Sequence, residues 1–171
     1  MITITTVNAA LADFNTSPPA EAERDLRACC AVPAWAAELA AGRPYPDVAA
    51  LLAVADTALR RLTWADIARA LADHPRIGER PDGADRSSAW SRREQAGVAG
   101  DTATRAALAA ANLEYERRFG HLFLIFASGR GEAELLAAAR QRLTHDDETE
   151  RRVVHEELRR IALLRLERLV G

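Results

Sequence analysis

Three groups of residues in this chain of 171 carry side chains that could do chemistry and that helix packing alone does not explain. The first is His74-Pro75-Arg76-Ile77-Gly78. Proline bars the residue before it from helical geometry, so His74 is expected at a helix exit in an extended conformation. An imidazole held there by the main chain titrates near neutrality and suits proton transfer. The competing reading is a histidine that complements the dipole at a helix C-terminus.

The second group is Ser91, Glu94 and Gln95. Residues at i, i+3 and i+4 share a helix face, so a hydroxyl, a carboxylate and an amide would stand together while Arg92 and Arg93 point elsewhere. Such a trio offers donors and acceptors to an amide- or urea-rich ligand, or it is an ordinary exposed helix face. The third is Arg165, set in the apolar stripe Leu158, Ile161, Ala162, Leu169 of the last helix. A buried arginine needs an anion or carbonyl beside it, because an unpaired buried charge costs on the order of 3–5 kcal/mol. It is a clamp for a substrate carboxylate or carbonyl, an intramolecular ion pair, or a side chain that snorkels to water.

Other chemistries find little support. His121, His145 and His155 show no metal-ligand spacing, and Cys29 and Cys30 are adjacent with no second pair to complete a zinc site. There is no Gly-rich phosphate loop, nucleophile elbow or Cys/His pairing. A metal or nucleotide enzyme is not expected. The net charge is −2, with acids and arginines interspersed, so there is no basic footprint for nucleic acid. No apolar run approaches membrane-spanning length, and the N-terminal residues do not resemble a signal peptide. A cytoplasmic protein with reduced cysteines is the expectation.

The elements that must position these groups are helices. Hydrophobic residues make up 49% of the chain but aromatics only 5%. Alanine and leucine, strong helix formers, dominate over the residues that strands favour. The spacing predicts helices over about 6–14, from Ser17 as cap, around Trp35 to Gly42, over 46–62, and from a Thr63/Asp66 capping box to about Asp73. His74 to Arg86 reads as a surface loop. Helix resumes at Ser87 or Ser88 and breaks near Gly97 and Gly100. Further helices follow from Asp101 to about Arg118, Glu132 to Leu143 and Asp146 to Leu169. The apolar run Phe119 to Phe126 has no partner strand anywhere in the chain, so it is read as buried helical or irregular backbone. The fold class is all-α: one domain over residues 1–171 with about eight helices around one core.

Taken together, the motifs resemble the OHCU decarboxylase family (2-oxo-4-hydroxy-4-carboxy-5-ureidoimidazoline decarboxylase). The matching pieces run in family order across nearly the whole chain. They are Trp35, Arg43-Pro44-Tyr45, His74-Pro75-Arg76-Ile77-Gly78, the segment from Ser91 through Glu94-Gln95 to Gly97, and Asn112-Leu113-Glu114-Tyr115. Phe119-Gly120-His121-Leu122-Phe123, Arg142-Leu143 and Ile161 through Arg165-Leu166 complete the set. Tyr45 stands where Phe is usual, and His121-Leu122 where many members have Phe-Pro.

The resemblance implies an all-helical homodimer that needs no cofactor and acts on a small-molecule substrate, forming (S)-allantoin in urate degradation. It implies His74 as general acid/base with Glu94 as its partner. Pro75, Ser91 and Gln95 would contact substrate, as would the backbone of Phe123, Leu124, Ile125, Phe126 and Ala127. Arg165 would hold a substrate oxygen or carboxylate. The rival readings are a helical interaction domain, marked by a large exposed apolar patch, an enzyme for another ureido or hydantoin acid, and, more distantly, a small DNA-binding regulator.

Overall fold

The computed structural model describes residues 8–79, 83–96 and 100–171. Among them are nine helices and no strand: α1 (Ala9–Thr16), α2 (Pro19–Cys29), α3 (Pro33–Ala41), α4 (Val48–Arg60), α5 (Trp64–Leu71), α6 (Arg86–Glu94), α7 (Thr102–Phe119), α8 (Glu132–Arg142) and α9 (Asp147–Val170). The all-α expectation holds. No helix among the described residues is long and apolar enough to cross a membrane. The chain forms two units, one of the residues up to Leu62 with Ile161–Gly171, the other of Thr63–Arg160.

In the first unit, α2 packs on α3 and α3 on α4 around buried Leu26, Trp35, Leu39, Leu51 and Leu59. Ser17 does not cap α2 as expected. Its N–H donates to Asp13 O (2.9 Å) and its hydroxyl to Phe14 O (3.1 Å), so it closes α1. Prolines 18 and 19 supply the start of α2 themselves, because neither has an N–H that needs capping. Arg43 ties this corner together. Its Nη1 donates to the carbonyls of Phe14 (2.6 Å) and Ser17 (2.8 Å), and its Nε to that of Ala40 (2.9 Å). The Tyr45 hydroxyl donates to Leu39 O at 2.7 Å, and burial pushes its pKa up. Cys29 and Cys30 are buried and not disulfide-bonded.

In the second unit, carboxylate caps open the helices. Thr63 and Asp66 form the expected capping box, with the Thr63 N–H donating to Asp66 Oδ2 (2.9 Å) and the Asp66 N–H to Thr63 Oγ1 (3.3 Å). Asp85 accepts from the Ser88 N–H (2.9 Å), Asp101 from Thr104 (2.7 Å) and Asp146 from Thr149 (2.7 Å). Asp85 therefore starts α6 slightly before the serines singled out from the sequence. That helix ends at Glu94, and Gly97 lies outside the described residues. Gly120 ends α7 in left-handed backbone at φ +75°, where a side chain would be strained. Beyond it, Leu122 to Ala127 runs without helix, turn or bend and is mostly buried.

The buried segment lies in a core with Leu108, Ala111, Tyr115, Leu135 and Ala139. Beside that core sits Glu150, with no solvent exposure. Its Oε1 accepts from the Tyr115 hydroxyl (2.5 Å) and from Arg142 Nε (2.7 Å), and its Oε2 lies 2.9 Å from His145 Nδ1. Burial, then the bond to Glu150, drives the Tyr115 pKa far upward, so its hydroxyl stays a neutral donor.

Two outcomes are expected. Glu150→Ala strands the buried Arg142 charge and should lower unfolding free energy in urea by roughly 3–5 kcal/mol. The helix-start carboxylates Asp66, Asp85, Asp101 and Asp146 all have pKa values below the ordinary 3.8, each mainly through hydrogen bonds at its helix N-terminus. Their stabilisation is complete above that value and is lost as pH falls through the lowered folded values. A variant with all four changed to Asn, which caps without titrating, should melt like the wild type at pH 7. It should lose less of its melting temperature between pH 5 and pH 2.5.

Candidate active site

The loop after α5 carries His74. Its N–H donates to Leu71 O (3.1 Å), and the side chain is half-buried. Four hydrogen bonds then fix the following residues. Arg76 Nε and Nη2 reach the two carboxylate oxygens of Glu116 on α7, at 2.6 and 3.1 Å. The Asn112 amide on α7 donates to Ile77 O at 2.8 Å. The Gly78 N–H donates to Gln95 Oε1 at 3.0 Å. Gly78 has φ +88°, a turn that favours glycine. His74 thus precedes a loop pinned to both α6 and α7.

On α6 the expected face exists but is not an exposed one. Ser91 and Glu94 are buried along with Trp90, and Gln95 follows the last helical residue, half-buried. Arg93 is exposed, and Arg92 turns aside to donate to Gly83 O at 2.8 Å. The carbonyl end of Gln95 is engaged by the loop, which leaves its NH2 group as the part available to a ligand.

The segment from Phe123 to Ala127 is irregular rather than helical. Leu124 O accepts from Arg142 Nη1 (2.6 Å), and the Phe126 N–H donates to Glu157 Oε2 (2.5 Å). Ala127 O accepts from the Arg130 N–H (3.0 Å) as the chain turns toward α8.

A cavity of about 500 Å³ opens beside His74 and Pro75. The end of α5, Arg76 and Glu79 of the loop, and Glu116, Gly120, His121 and Leu122 at the end of α7 complete its walls. His74 and Pro75 are the expected site residues that line it, while Ser91, Glu94, Gln95 and Phe123 to Ala127 do not. His121 packs edge-on against Trp64 and Tyr115. Arg165 belongs to the other unit, where it is 2% exposed and its Nη1 donates to Ala28 O (3.4 Å). Such burial removes the snorkelling alternative. The interaction-domain reading is also weakened, because the large hydrophobic residues exposed among the described residues are Val54 and Leu113, not a broad patch.

Sequence reasoning gave Asn112 and Arg142 no role beyond their place in the family motifs, and it passed over Glu150 and Glu157. The criterion that singled out Arg165 would have found the last two. Glu150, Val154, Glu157 and Ile161 continue the same apolar stripe toward the start of α9, and both acids are buried. Arg142 and Asn112 are single polar positions on helices without a sharp apolar stripe, so outside those motifs their burial is not marked locally.

This all-helical arrangement is one found in solved structures. It superposes on a crystal structure of an OHCU decarboxylase in the presence of (S)-allantoin with a TM-score of 0.73 at 24% identity, over 85% of this chain and 96% of that one. It matches a crystal structure of an (S)-allantoin synthase with a TM-score of 0.70 at 18% identity, over 94% of this chain and 53% of that one. At these identities the likeness defines the fold. In sequence, the chain is 31% identical over 136 residues to the 2-oxo-4-hydroxy-4-carboxy-5-ureidoimidazoline decarboxylase of Haloferax volcanii, covering 77% of this chain and 79% of that protein. It is 29% identical over 152 residues to the uric acid degradation bifunctional protein TTL of Arabidopsis thaliana. That match takes in 86% of this chain but 47% of the plant protein, so the chain spans about half the length of that relative. The profile of the OHCU decarboxylase family matches residues 15–167. The chain belongs to the OHCU decarboxylase family.

Asn112→Ala should expose the role of the loop anchor. It leaves the Ile77 carbonyl without its donor and is expected to cost about 1–3 kcal/mol in urea unfolding. It should also speed proteolysis or hydrogen exchange in residues 76–79. Unchanged exchange there would show that Arg76 and Gln95 hold the loop alone.

Proposed function

We propose that this protein decarboxylates 2-oxo-4-hydroxy-4-carboxy-5-ureidoimidazoline to (S)-allantoin in the degradation of urate. One observation carries the reading: the family match over residues 15–167 contains every residue of the candidate site, from His74 to Arg165.

The reaction suits a protein that supplies only positioning and protons. The bond from ring carbon 4 to the carboxylate breaks, and its electron pair moves into the adjacent ring C=N. The substrate is therefore its own electron sink, and no metal or organic cofactor is required. The hydroxyl on carbon 4 loses its proton to become the ring carbonyl. The neighbouring carbon, which bears the ureido group, gains a proton on one face, and that face fixes the configuration. Starting from the carboxylate, one proton is taken up overall as carbon dioxide leaves.

His74 takes the hydroxyl proton, and Glu94 orients its imidazole. The pinned loop suits this role, since proton transfer needs hydrogen-bond distance held in the reacting geometry. Pro75, Ser91 and the NH2 of Gln95 contact the substrate, and the backbone from Phe123 to Ala127 receives its polar atoms. Arg165, a buried fixed charge, holds a substrate oxygen or carboxylate. Fixing the carboxylate out of the ring plane and excluding water supply much of the remaining acceleration. From the family resemblance, the enzyme works as a homodimer in the cytoplasm, with all 171 residues as one functional domain.

The test generates the unstable substrate in place with urate oxidase and hydroxyisourate hydrolase, adds this protein with EDTA, and follows the circular dichroism of allantoin. Rapid appearance of one enantiomer is expected. His74→Ala should lower turnover by at least roughly 10²–10⁴-fold while the far-ultraviolet helical signal persists. A slow racemic background with the wild type would sink the proposal, and full activity of His74→Ala would remove that residue from the mechanism.

A further inference from the structure

The backbone after His74 makes a tight turn whose central peptide is held from both sides. The Glu79 N–H donates to Arg76 O at 3.1 Å, which closes a four-residue turn over Arg76, Ile77, Gly78 and Glu79. Gly78 stands at its third position with φ +88°, and Ile77 at the second has no positive φ. That combination is a type II turn. A type I turn spans the same ends and differs chiefly in that the peptide between the two central residues is turned over. Glycine accepts both, so the backbone alone does not choose between them. Two side-chain amides make the choice. The Ile77 carbonyl accepts from Asn112 Nδ2 (2.8 Å), and the N–H of the same peptide unit, that of Gly78, donates to Gln95 Oε1 (3.0 Å). The backbone dictates which end of each amide it meets, because a carbonyl takes only an NH2 group and an N–H only an oxygen. Asn112 is 4% exposed, and its Oδ1 is buried with no hydrogen-bond partner. It is therefore buried at a cost, for the one bond that it makes to this peptide.

We propose that Asn112 is a positioning residue for substrate recognition: it holds the Ile77 carbonyl, keeps the turn in type II, and so leaves the Gln95 NH2 group to donate to a carbonyl oxygen of the substrate. This rests on the decarboxylase reading and deepens it by naming what sets the polarity of the Gln95 contact. In the overturned peptide the Ile77 carbonyl would face Gln95 and claim its NH2 group. The ligand would then meet the Gln95 oxygen, an acceptor where a substrate carbonyl needs a donor. Asn112 itself touches no substrate atom.

The experiment compares Gly78→Ala, Gly78→Asn and Asn112→Ala with the wild type in two measurements. NMR of the labelled proteins reads the turn, because the Ile77 Hα lies close to the Gly78 N–H in type II and farther from it in type I. The coupled assay, with substrate generated from a known amount of urate, reads KM and kcat separately. A Cβ at Gly78 meets only Leu108 Cδ2, at an ordinary 3.7 Å, and a cavity of about 270 Å³ lies alongside. Alanine there acts through φ rather than through collision, and it should turn the peptide over. Asparagine tolerates positive φ, so it should keep type II and recover most of the affinity that alanine loses. Asn112→Ala should weaken the Ile77–Gly78 contact with glycine still in place. In Gly78→Ala and Asn112→Ala, KM should rise about tenfold, the worth of one well-made hydrogen bond, with kcat within about threefold. A purely structural anchor would instead lower kcat, since His74 lies two residues before the turn and would lose its placement. A full Ile77–Gly78 contact in Asn112→Ala overturns the proposal, as does a fall in kcat at unchanged KM. Should Asn112→Ala fail to fold, the Gly78 variants decide: equal KM for alanine and asparagine overturns it. A wild type without turnover overturns the decarboxylase reading and this inference together, whereas an active wild type with any of those results overturns this inference alone.

Discussion

Buried backbone that is not helical must find hydrogen-bond partners elsewhere, and the segment from Leu122 to Ala127 imposes that demand on the whole second unit. A helix satisfies its own amides and carbonyls, so a helical protein can pack apolar faces with few side-chain bonds. Once a stretch without helix runs through the core, side chains must come to it. Arg142 and Glu157 are those side chains. Each brings a charge that must itself be compensated. Glu150 answers Arg142, and Tyr115 and His145 share Glu150. Arg160 stands near Glu157. The buried network is the consequence of one irregular segment.

The same economy governs the loop that carries His74. A surface loop rich in proline, glycine and charge has little reason to hold one shape, yet three separate elements of bonding act on Arg76, Ile77 and Gly78. Two of these three contacts, Arg76–Glu116 and Asn112–Ile77, come from α7, which also supplies Tyr115 to the Glu150 cluster. The long α7 helix therefore serves as a common frame for the histidine loop and for the straight segment that follows its own C-terminus. Exposed ion pairs such as Arg61–Glu38 contribute little by comparison, since water screens them.

For the proposed reaction, whose substrate accepts its own electrons, such framing is the main thing a protein can contribute. Proton transfer demands a group held at hydrogen-bond distance, and stereospecificity demands that the ring present one face.

What the sequence by itself determined was mostly what is local. Helix type, the Thr63–Asp66 box, the Asp101 start of α7, proline-led starts and the loop at His74 follow from residues within four positions of one another, and they are legible for that reason. The motifs named candidate site residues without showing how they are held. Ser17 illustrates the limit: its type suits a cap on α2, but the two prolines after it remove the need, and its hydroxyl turns back to close α1. Tertiary structure alone decided that Gln95 meets Gly78, that Asn112 meets Ile77, and that Glu157 meets Phe126, across 17, 35 and 31 positions. A side chain's partner at such separations depends on where helices cross. That is set by the packing of all the apolar faces at once, and no short stretch of sequence records it.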